Sequence, residues 1–428
     1  MEVVALARRL RDARSVLEEL VRRYGDVVRV RFGPATFFLL AHPDDVERVL
    51  ETEADRFERV AGERRVSARV VGRALFSTEG PRHAWERSML EPVMYGPAAE
   101  LSADAVVELT ARWRESLRPG EPLDVWAAME TFCTELIVRL LTGLDPAGEG
   151  GAIVDALRST VDAMDRLPAP PTRLPEWIPP VQRRFRTERA RLDELLRDVI
   201  AERRRERGDD LLSRLIDVHD GAGRALDDRE LRDALVTLYR GHTATSTALA
   251  LTWWRLGGEP AVERRLLEEV DALDRRPLGY ADLDRLDHTR RVFQESLRLY
   301  PPAWVLARTA VAEHRAGPHT IRPGSRVLVS EWVTHRDPRF WDDPLAFRPE
   351  RFTEEATAGR PRYAYFPQGG GDKLCMGREL VVPMEAPLVL ATVAQRVRLR
   401  PIPGRDPDLA PRATLKPTNG VWLVPELR

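Results

Sequence analysis

A mainly α-helical fold with a small β-sheet region is predicted by three observations. Apolar residues recur at three- and four-residue spacing over most of the chain. Strand-like runs are few and clustered. No internal repeat, heptad run or low-complexity linker breaks the pattern. Helical periodicity covers residues 3–24, 101–117, 123–143, 181–207, 228–256, 258–274 and 287–299. The stretch "DVVRVRFGPATFFLLA" reads as a hairpin turning at Gly33-Pro34. "SRVLVSEWV" and the closing "NGVWLVP" are further strand-like pieces, the last opening on an Asn-Gly turn. "RLPAPPTRLPEWIPP", residues 166–180, places six prolines between two helical segments. Proline lacks an amide hydrogen and fixes φ, so this is a stiff, non-helical connection, either a surface loop or a lid joining two helices.

The chain has 428 residues, of which 43% are apolar, enough for a sizeable core. A net charge of −1 gives no footprint for nucleic acid or an anionic membrane. The basic residues are almost all arginine, with lysine only at Lys373 and Lys416. Two cysteines cannot build a disulfide framework at this size. The opening "MEVVALARRLRDARSVLEEL" has neither a signal peptide's apolar core nor a membrane-spanning run. A soluble, cytoplasmic protein without a membrane anchor is expected.

Cys133 lies on the apolar face of "METFCTELIVRLL" and reads as a small buried hydrophobe. Cys375 is different. In "YFPQGGGDKLCMGREL" it follows three glycines and Lys373, with Gly377 two residues on and an apolar, helix-like run beyond. Bare glycine backbone lets a large flat group lie close. A thiol at a helix N-terminus beside a cation is favoured as thiolate, the form that ligates soft metals or acts as a nucleophile. Upstream, "RRVFQESLRLYPP" places Glu295 and Arg298 three residues apart on a helix that the double proline ends. Apolar neighbours suggest that the pair is partly buried, and a buried guanidinium needs several acceptors. Arg351, in "DPLAFRPERF", is a candidate third member.

Taken together these pieces resemble the cytochrome P-450 haem-thiolate enzymes, soluble bacterial type, over essentially the whole chain. "QESLRLYPPAWVLAR" is similar to the family's Glu-x-x-Arg helix and following strand, and "WVTHRDPRFWDDPLAFRPERF" to its meander. "GGGDKLCMG" resembles its cysteine loop and "RGHTATSTALALTWW" its long central helix. The resemblance implies a single domain spanning 1–428, with haem b (iron protoporphyrin IX) between the central helix and the Cys375 loop. Cys375 would be the proximal thiolate ligand of the iron. Gly371 and Gly377 would let the loop approach the porphyrin. His83 and Arg87 of "GPRHAWERSML" would bind haem propionates together with Arg308, and Lys373 stands where the family has arginine or histidine. Glu295, Arg298 and Arg351 would form the structural triad. The implied cavity is lined by the 56–80 loop, the proline-rich connection, the central helix, residues 303–307 and the turn near Asn419.

Two departures from the family pattern stand out. Gln368 occupies the position where the cysteine loop has phenylalanine, and Asp372 and Lys373 replace proline and arginine. Second, the central helix reads Arg240, Gly241, His242, Thr243, Ala244, Thr245. Gly241 keeps the residue that lets the helix open, but the family's acid has become Thr243 and its alcohol Ala244. Those groups organise water that delivers protons during oxygen activation. Thr243 or Thr245 with a water chain, His242 or Arg240, or a polar group on the substrate are the possible substitutes. The resemblance implies monooxygenation of a mostly apolar, secondary-metabolite-type small molecule with O2, fed by a ferredoxin and ferredoxin reductase. The altered helix motivates two alternatives: peroxide-driven oxidation, rearrangement or ring formation on the same haem, and a non-catalytic ligand-binding protein.

Overall fold

The computed structural model describes residues 12–32, 35–95, 97–165, 179–273 and 276–428. The mainly helical class is what it shows. By their internal contacts the residues form two compact units: one of residues 1–60, 110–129 and 244–428, the other of residues 61–109 and 130–243.

The larger unit carries the sheet. Val27–Phe32 and Ala35–Leu40 pair antiparallel, as the hairpin reading requires, with the Gly33-Pro34 turn outside the described residues. Arg326–Val329 joins Ala35–Leu40 in parallel, and Leu306–Ala310 and Phe57–Arg59 complete five strands. Side chains alternate across the pleat, so Phe38 and Leu40 fill one core while Leu39 fills another with Val16, Leu20 and Val28. The first core also holds Val327, Val329, Tyr363 and Phe366, which binds the segment before the cysteine loop to the sheet. Only the first part of "SRVLVSEWV" is a strand. Ser330 accepts the Val333 amide and caps the short helix Glu331–Thr334, since a serine able to take an orphan N–H starts a helix. "NGVWLVP" does form a strand, Trp422–Leu427, between Leu123–Asp124 and Val397–Pro401. Residues 123–124, expected as helix, are therefore strand, and the helix runs from Val125 to Thr142.

The smaller unit is helical. It contains Ala61–Val71, Gly80–Met94, Gly151–Asp165, Pro179–Arg205 and Leu211–Asp217, and the helix Asp228–Gly257 begins in it. Residues 56–80, expected as a loop, contain the first of these helices. The helix Ala61–Val71 ends at Gly72, whose φ of +72° suits only glycine, and an added Cβ would collide with the Asp233 carboxylate. Residues 166–178 of the proline-rich connection lie outside the described residues. Cys133 is buried, as its apolar helix face implies. Among the described residues no helix is long and apolar enough to cross a membrane.

A buried ion pair joins the helix Asp287–Leu299 to the meander. Arg298 donates to both Glu295 oxygens, at 2.7 and 2.8 Å, and both residues are fully buried. Its remaining donors reach the carbonyls of His335, Pro344 and Ala346 at 2.9, 2.7 and 3.1 Å. Glu295 also accepts the Arg348 amide at 2.8 Å. Arg351 Nε stands 3.4 Å from Glu295 Oε1, an ion pair without a hydrogen bond. Removing one partner of such a pair strands a charge and several carbonyls. Arg298→Met is therefore expected to cost about 3–5 kcal/mol in denaturant unfolding. A loss below about 1 kcal/mol, the scale of an exposed pair, would show the network to be dispensable.

Two buried ionisable groups set opposite pH dependences. Burial raises Glu385 from the ordinary 4.5 to about 8 and lowers His242 from 6.5 to about 4. Between pH 4.5 and 8 the folded protein keeps a proton on Glu385 that the unfolded chain releases, so stability falls as pH rises through this window. Between pH 6.5 and 4 the unfolded chain protonates its histidine first, so stability falls as pH drops. Glu385→Gln is expected to flatten the alkaline limb of the unfolding free energy against pH and leave the acid limb intact. An unchanged alkaline limb would place the titration elsewhere.

Candidate active site

The cysteine loop is held by backbone hydrogen bonds on an aromatic base. Phe366 donates its amide to His335 Nε2 at 2.9 Å, and Tyr365 Oη donates to the Gln294 carbonyl at 2.9 Å. The Gly369 amide closes on the Phe366 carbonyl, and the Cys375 amide donates to the Gln368 carbonyl at 3.0 Å. Gln368 thus meets the cysteine through its main chain, a contact that phenylalanine would make equally well. Gly369 and Gly371 have φ of +77° and +61°, the left-handed region. Beyond the cysteine, Arg378 donates its amide to the Cys375 carbonyl, and the chain runs through Arg378–Leu380 and a π-helical turn into Ala386–Ala394.

The glycines differ in what demands them. A Cβ on Gly371 would strike the Leu50 carbonyl, and one on Gly370 the Tyr363 hydroxyl, so both serve close packing within the protein. Gly377 has an ordinary φ of −79°. A Cβ there would lie 3.8 Å from Cys375 Sγ and 3.5 Å from Val381 Cγ2, ordinary contact distances. Among the described residues no atom forces glycine at 377, and its bare backbone leaves a cradle beside a half-buried sulfur. A flat macrocycle bound through the thiolate fits that surface. In the smaller unit, a Cβ added to Gly241 would meet nothing within 4 Å, again open space where the backbone is bare.

The remaining predicted residues divide between the units. Arg308 and Lys373 lie in the larger one with Cys375, Gly371, Gly377, Glu295, Arg298 and Arg351. Arg308 sits on the central part of the sheet opposite Arg59 and Val327, is 8% exposed, and donates to the Ala307 carbonyl at 3.0 Å. Lys373 has a side chain 7% exposed that pairs with Asp372 at 3.1 Å. The tandem replacement of Asp372 and Lys373 is thus a local ion pair.

His83 and Arg87 lie in the smaller unit, one turn apart on the helix Gly80–Met94. His83 is buried, and Arg87 donates to Glu91 at 2.6 Å. Between them Glu86 is also buried, accepting from Thr78 Oγ1 and Arg82 Nε, each at 2.6 Å. Burial holds its carboxyl above the usual carboxylate range.

Arg240, Gly241, His242 and Thr243 belong to the smaller unit, Ala244 and Thr245 to the larger. The helix is unbroken through Gly241, against the expectation of an opening there. Its i→i−4 ladder is continuous because no proline or inserted side chain interrupts it. Thr243 Oγ1 donates to the Arg240 carbonyl at 2.9 Å, which leaves the hydroxyl oxygen as an acceptor. Arg240, Thr243 and Ala244 are half-buried, whereas His242 and Thr245 are buried. At about 4, His242 is neutral near pH 7, so its imidazole can relay a proton but is no standing acid.

Sequence reasoning missed the buried carboxyls Glu86, Glu331 and Glu385. For the last two a signal existed: each is a single charge inside an apolar run, "VLVSEWV" and "VVPMEAPLVLATVA". Burial pushes both well above the carboxylate range.

The sequence pattern of the family described as Cytochrome P450 matches residues 4–424. A cyclooctat-9-en-7-ol 5-monooxygenase of Streptomyces melanosporofaciens is 35% identical, over 89% of this chain and 84% of the relative. A cyclooctatin synthase of the same organism is 32% identical over 95% and 89%. A pentalenene oxygenase of Streptomyces avermitilis is 30% identical over 91% and 87%. Among solved structures, a cytochrome P450DA heme domain superposes with a TM-score of 0.88 at 23% identity, over 98% of this chain and 95% of that one. With the family pattern spanning nearly every residue around Cys375, the chain belongs to the cytochrome P450 family of haem monooxygenases.

Proposed function

We propose that this protein hydroxylates or similarly oxidises a carbocyclic, mostly apolar alkene or alkenol, with O2 and electrons supplied by a ferredoxin and its reductase. The observation that carries the reading is the half-buried Cys375 beside the bare backbone of Gly377. Substrate class is supported by the names of two relatives, a cyclooctat-9-en-7-ol 5-monooxygenase and a pentalenene oxygenase.

Haem b is the cofactor we assign, with Cys375 as its thiolate ligand. Haem held there by the Cys375 thiolate would supply oxygen activation, which a thiolate ligand favours. The Cys375 amide on the Gln368 carbonyl fixes the main chain that carries the sulfur. Arginine binds a carboxylate in a fork, which supports Arg308 and Arg87 as propionate partners, with His83 and Lys373 as further donors. Thr243 is our candidate for holding the proton-delivering water. Its proton is committed to the Arg240 carbonyl, so its oxygen accepts from water and orients it. His242, neutral, can pass a proton through its ring nitrogens.

The absorption spectrum of the reduced protein with carbon monoxide tests the ligand. A strongly red-shifted band is expected for the wild type and its loss in Cys375→Ser, while a band at the ordinary haem position in the wild type would overturn the thiolate assignment.

Thr243→Val tests the proton route. General acid–base groups contribute roughly 10²–10⁴-fold, so product formed per reductant consumed is expected to drop at least about tenfold. Unchanged coupling would remove Thr243 from the mechanism. Product formed with peroxide but never with reductant would instead favour the peroxide-driven reading that the altered helix motivates.

A further inference from the structure

The larger unit holds a cavity of about 400 Å³ walled by residues between Arg339 and Pro361, a lining that does not include the cysteine loop. Three arginines line it, Arg339, Arg351 and Arg360, with Asp342 as the single acid among the lining residues. Arg339 is accounted for, since it donates to Asp26 at 2.9 Å and to Asp337 at 2.6 Å. The other two are not. Glu295 already takes both Arg298 nitrogens and the Arg348 amide, and Arg351 reaches it only at 3.4 Å, with its other bond to the Asp343 carbonyl. Arg360 donates to the carbonyls of Arg351 and Ala356 and lies 4.0 Å from the Trp341 ring centroid. Among the described residues no carboxylate pairs with Arg360. Asp342 is 90% exposed on its side chain and paired with Arg348 instead.

Glu295 therefore pairs with both Arg298 and Arg351, and among the described residues no carboxylate is left for Arg360. Burial holds Arg360 below its ordinary range, and repulsion from Arg351 adds to this. Burial does the same to Arg351, which Glu295 attracts but Arg298 and Arg348 repel. Half-buried cations with little negative charge beside them attract an anion. The cavity they border is much larger than the roughly 30 Å³ of a water. Phe340 and Pro361 give its wall an apolar part.

The geometry points to an oxyanion site: Arg351 and Arg360 bind the phosphate of a small phosphate monoester, and Phe340 and Pro361 pack against its organic part. A phosphate monoester carries about −1.5 to −2 at neutral pH, which matches two guanidinium groups better than a carboxylate does. Guanidinium forks suit phosphate oxygens in geometry as well as charge. The site lies apart from Cys375 in sequence and uses no residue assigned to the haem.

Titration calorimetry and thermal melts of the haem-loaded protein test this, with inorganic phosphate and adenosine monophosphate as probes and sodium chloride at matched ionic strength as control. Saturable binding of both probes is expected, tighter for the monophosphate, with a melting temperature that chloride does not raise. Arg360→Gln is expected to weaken binding at least about tenfold, since a charge-assisted hydrogen bond is lost. Ala358→Glu places a carboxylate in the cavity wall, and it should raise the melting temperature without ligand and abolish the phosphate response. An equal response to chloride, wild-type affinity in Arg360→Gln, or an Ala358→Glu protein that still responds to phosphate would each overturn the site. Affinity for adenosine monophosphate no greater than for phosphate would overturn the monoester.

Discussion

The larger unit depends on the buried pair Glu295–Arg298. A guanidinium without water must place its donors on protein acceptors, and Arg298 places them on one carboxylate and three carbonyls. Those carbonyls belong to the His335 turn and to residues 344–346, so one side chain sets the path of the whole meander. From there the constraint passes along hydrogen bonds. His335 gives its backbone carbonyl to Arg298 and its ring nitrogen to the Phe366 amide. Two residues on, the Gln368 carbonyl accepts the Cys375 amide. The cysteine is thus tied to an ion pair eighty residues earlier through atoms that are mostly buried. In a low-dielectric interior such bonds hold geometry tightly, because breaking any one strands a polar group.

Glycine use around the cysteine follows from the same demand for fixed geometry. Gly370 and Gly371 bring the loop against Tyr363 and Leu50, where a side chain would collide. Gly377 answers to no protein atom, and this separates the residues that build the loop from the one that leaves a surface open. Further along, Glu385 sits in the π-helical turn before Ala386–Ala394, as a mostly neutral carboxyl near pH 7. A carboxyl kept protonated by burial can donate a hydrogen bond as well as accept one.

The departure in the central helix gains physical content from Thr243. Its hydroxyl is bonded to the carbonyl three residues back, a geometry that serine and threonine readily adopt within a helix. That bond commits the hydroxyl proton, so any further hydrogen bond to the oxygen is one it accepts. A carboxylic acid in this place would offer a titratable proton, whereas threonine offers only orientation. In the proton route proposed above, Thr243 would act by position, and the proton would come from water or from a neutral relay such as His242.

Much of this protein was determined by sequence alone. Period-3.6 patterning gave the helices Pro97–Ser116, Asp228–Gly257 and Asp287–Leu299 to within a few residues, because long amphipathic runs have one way to bury an apolar face. The hairpin Val27–Leu40, the Glu295–Arg298 spacing and the distinction between buried Cys133 and half-buried Cys375 were likewise legible in local residue order. Tertiary structure decided the rest. Ser330 ends a strand because the chain turns there, and residues 61–71 coil although their apolar signal is weak. Burial of Glu331, Glu385 and His242, the reach of Arg351 to the Glu295 carboxylate, and the collision that makes Gly371 obligatory all arise between residues distant in sequence. Desolvation and steric exclusion are properties of the packed surroundings, and a residue's chain neighbours carry only part of that information.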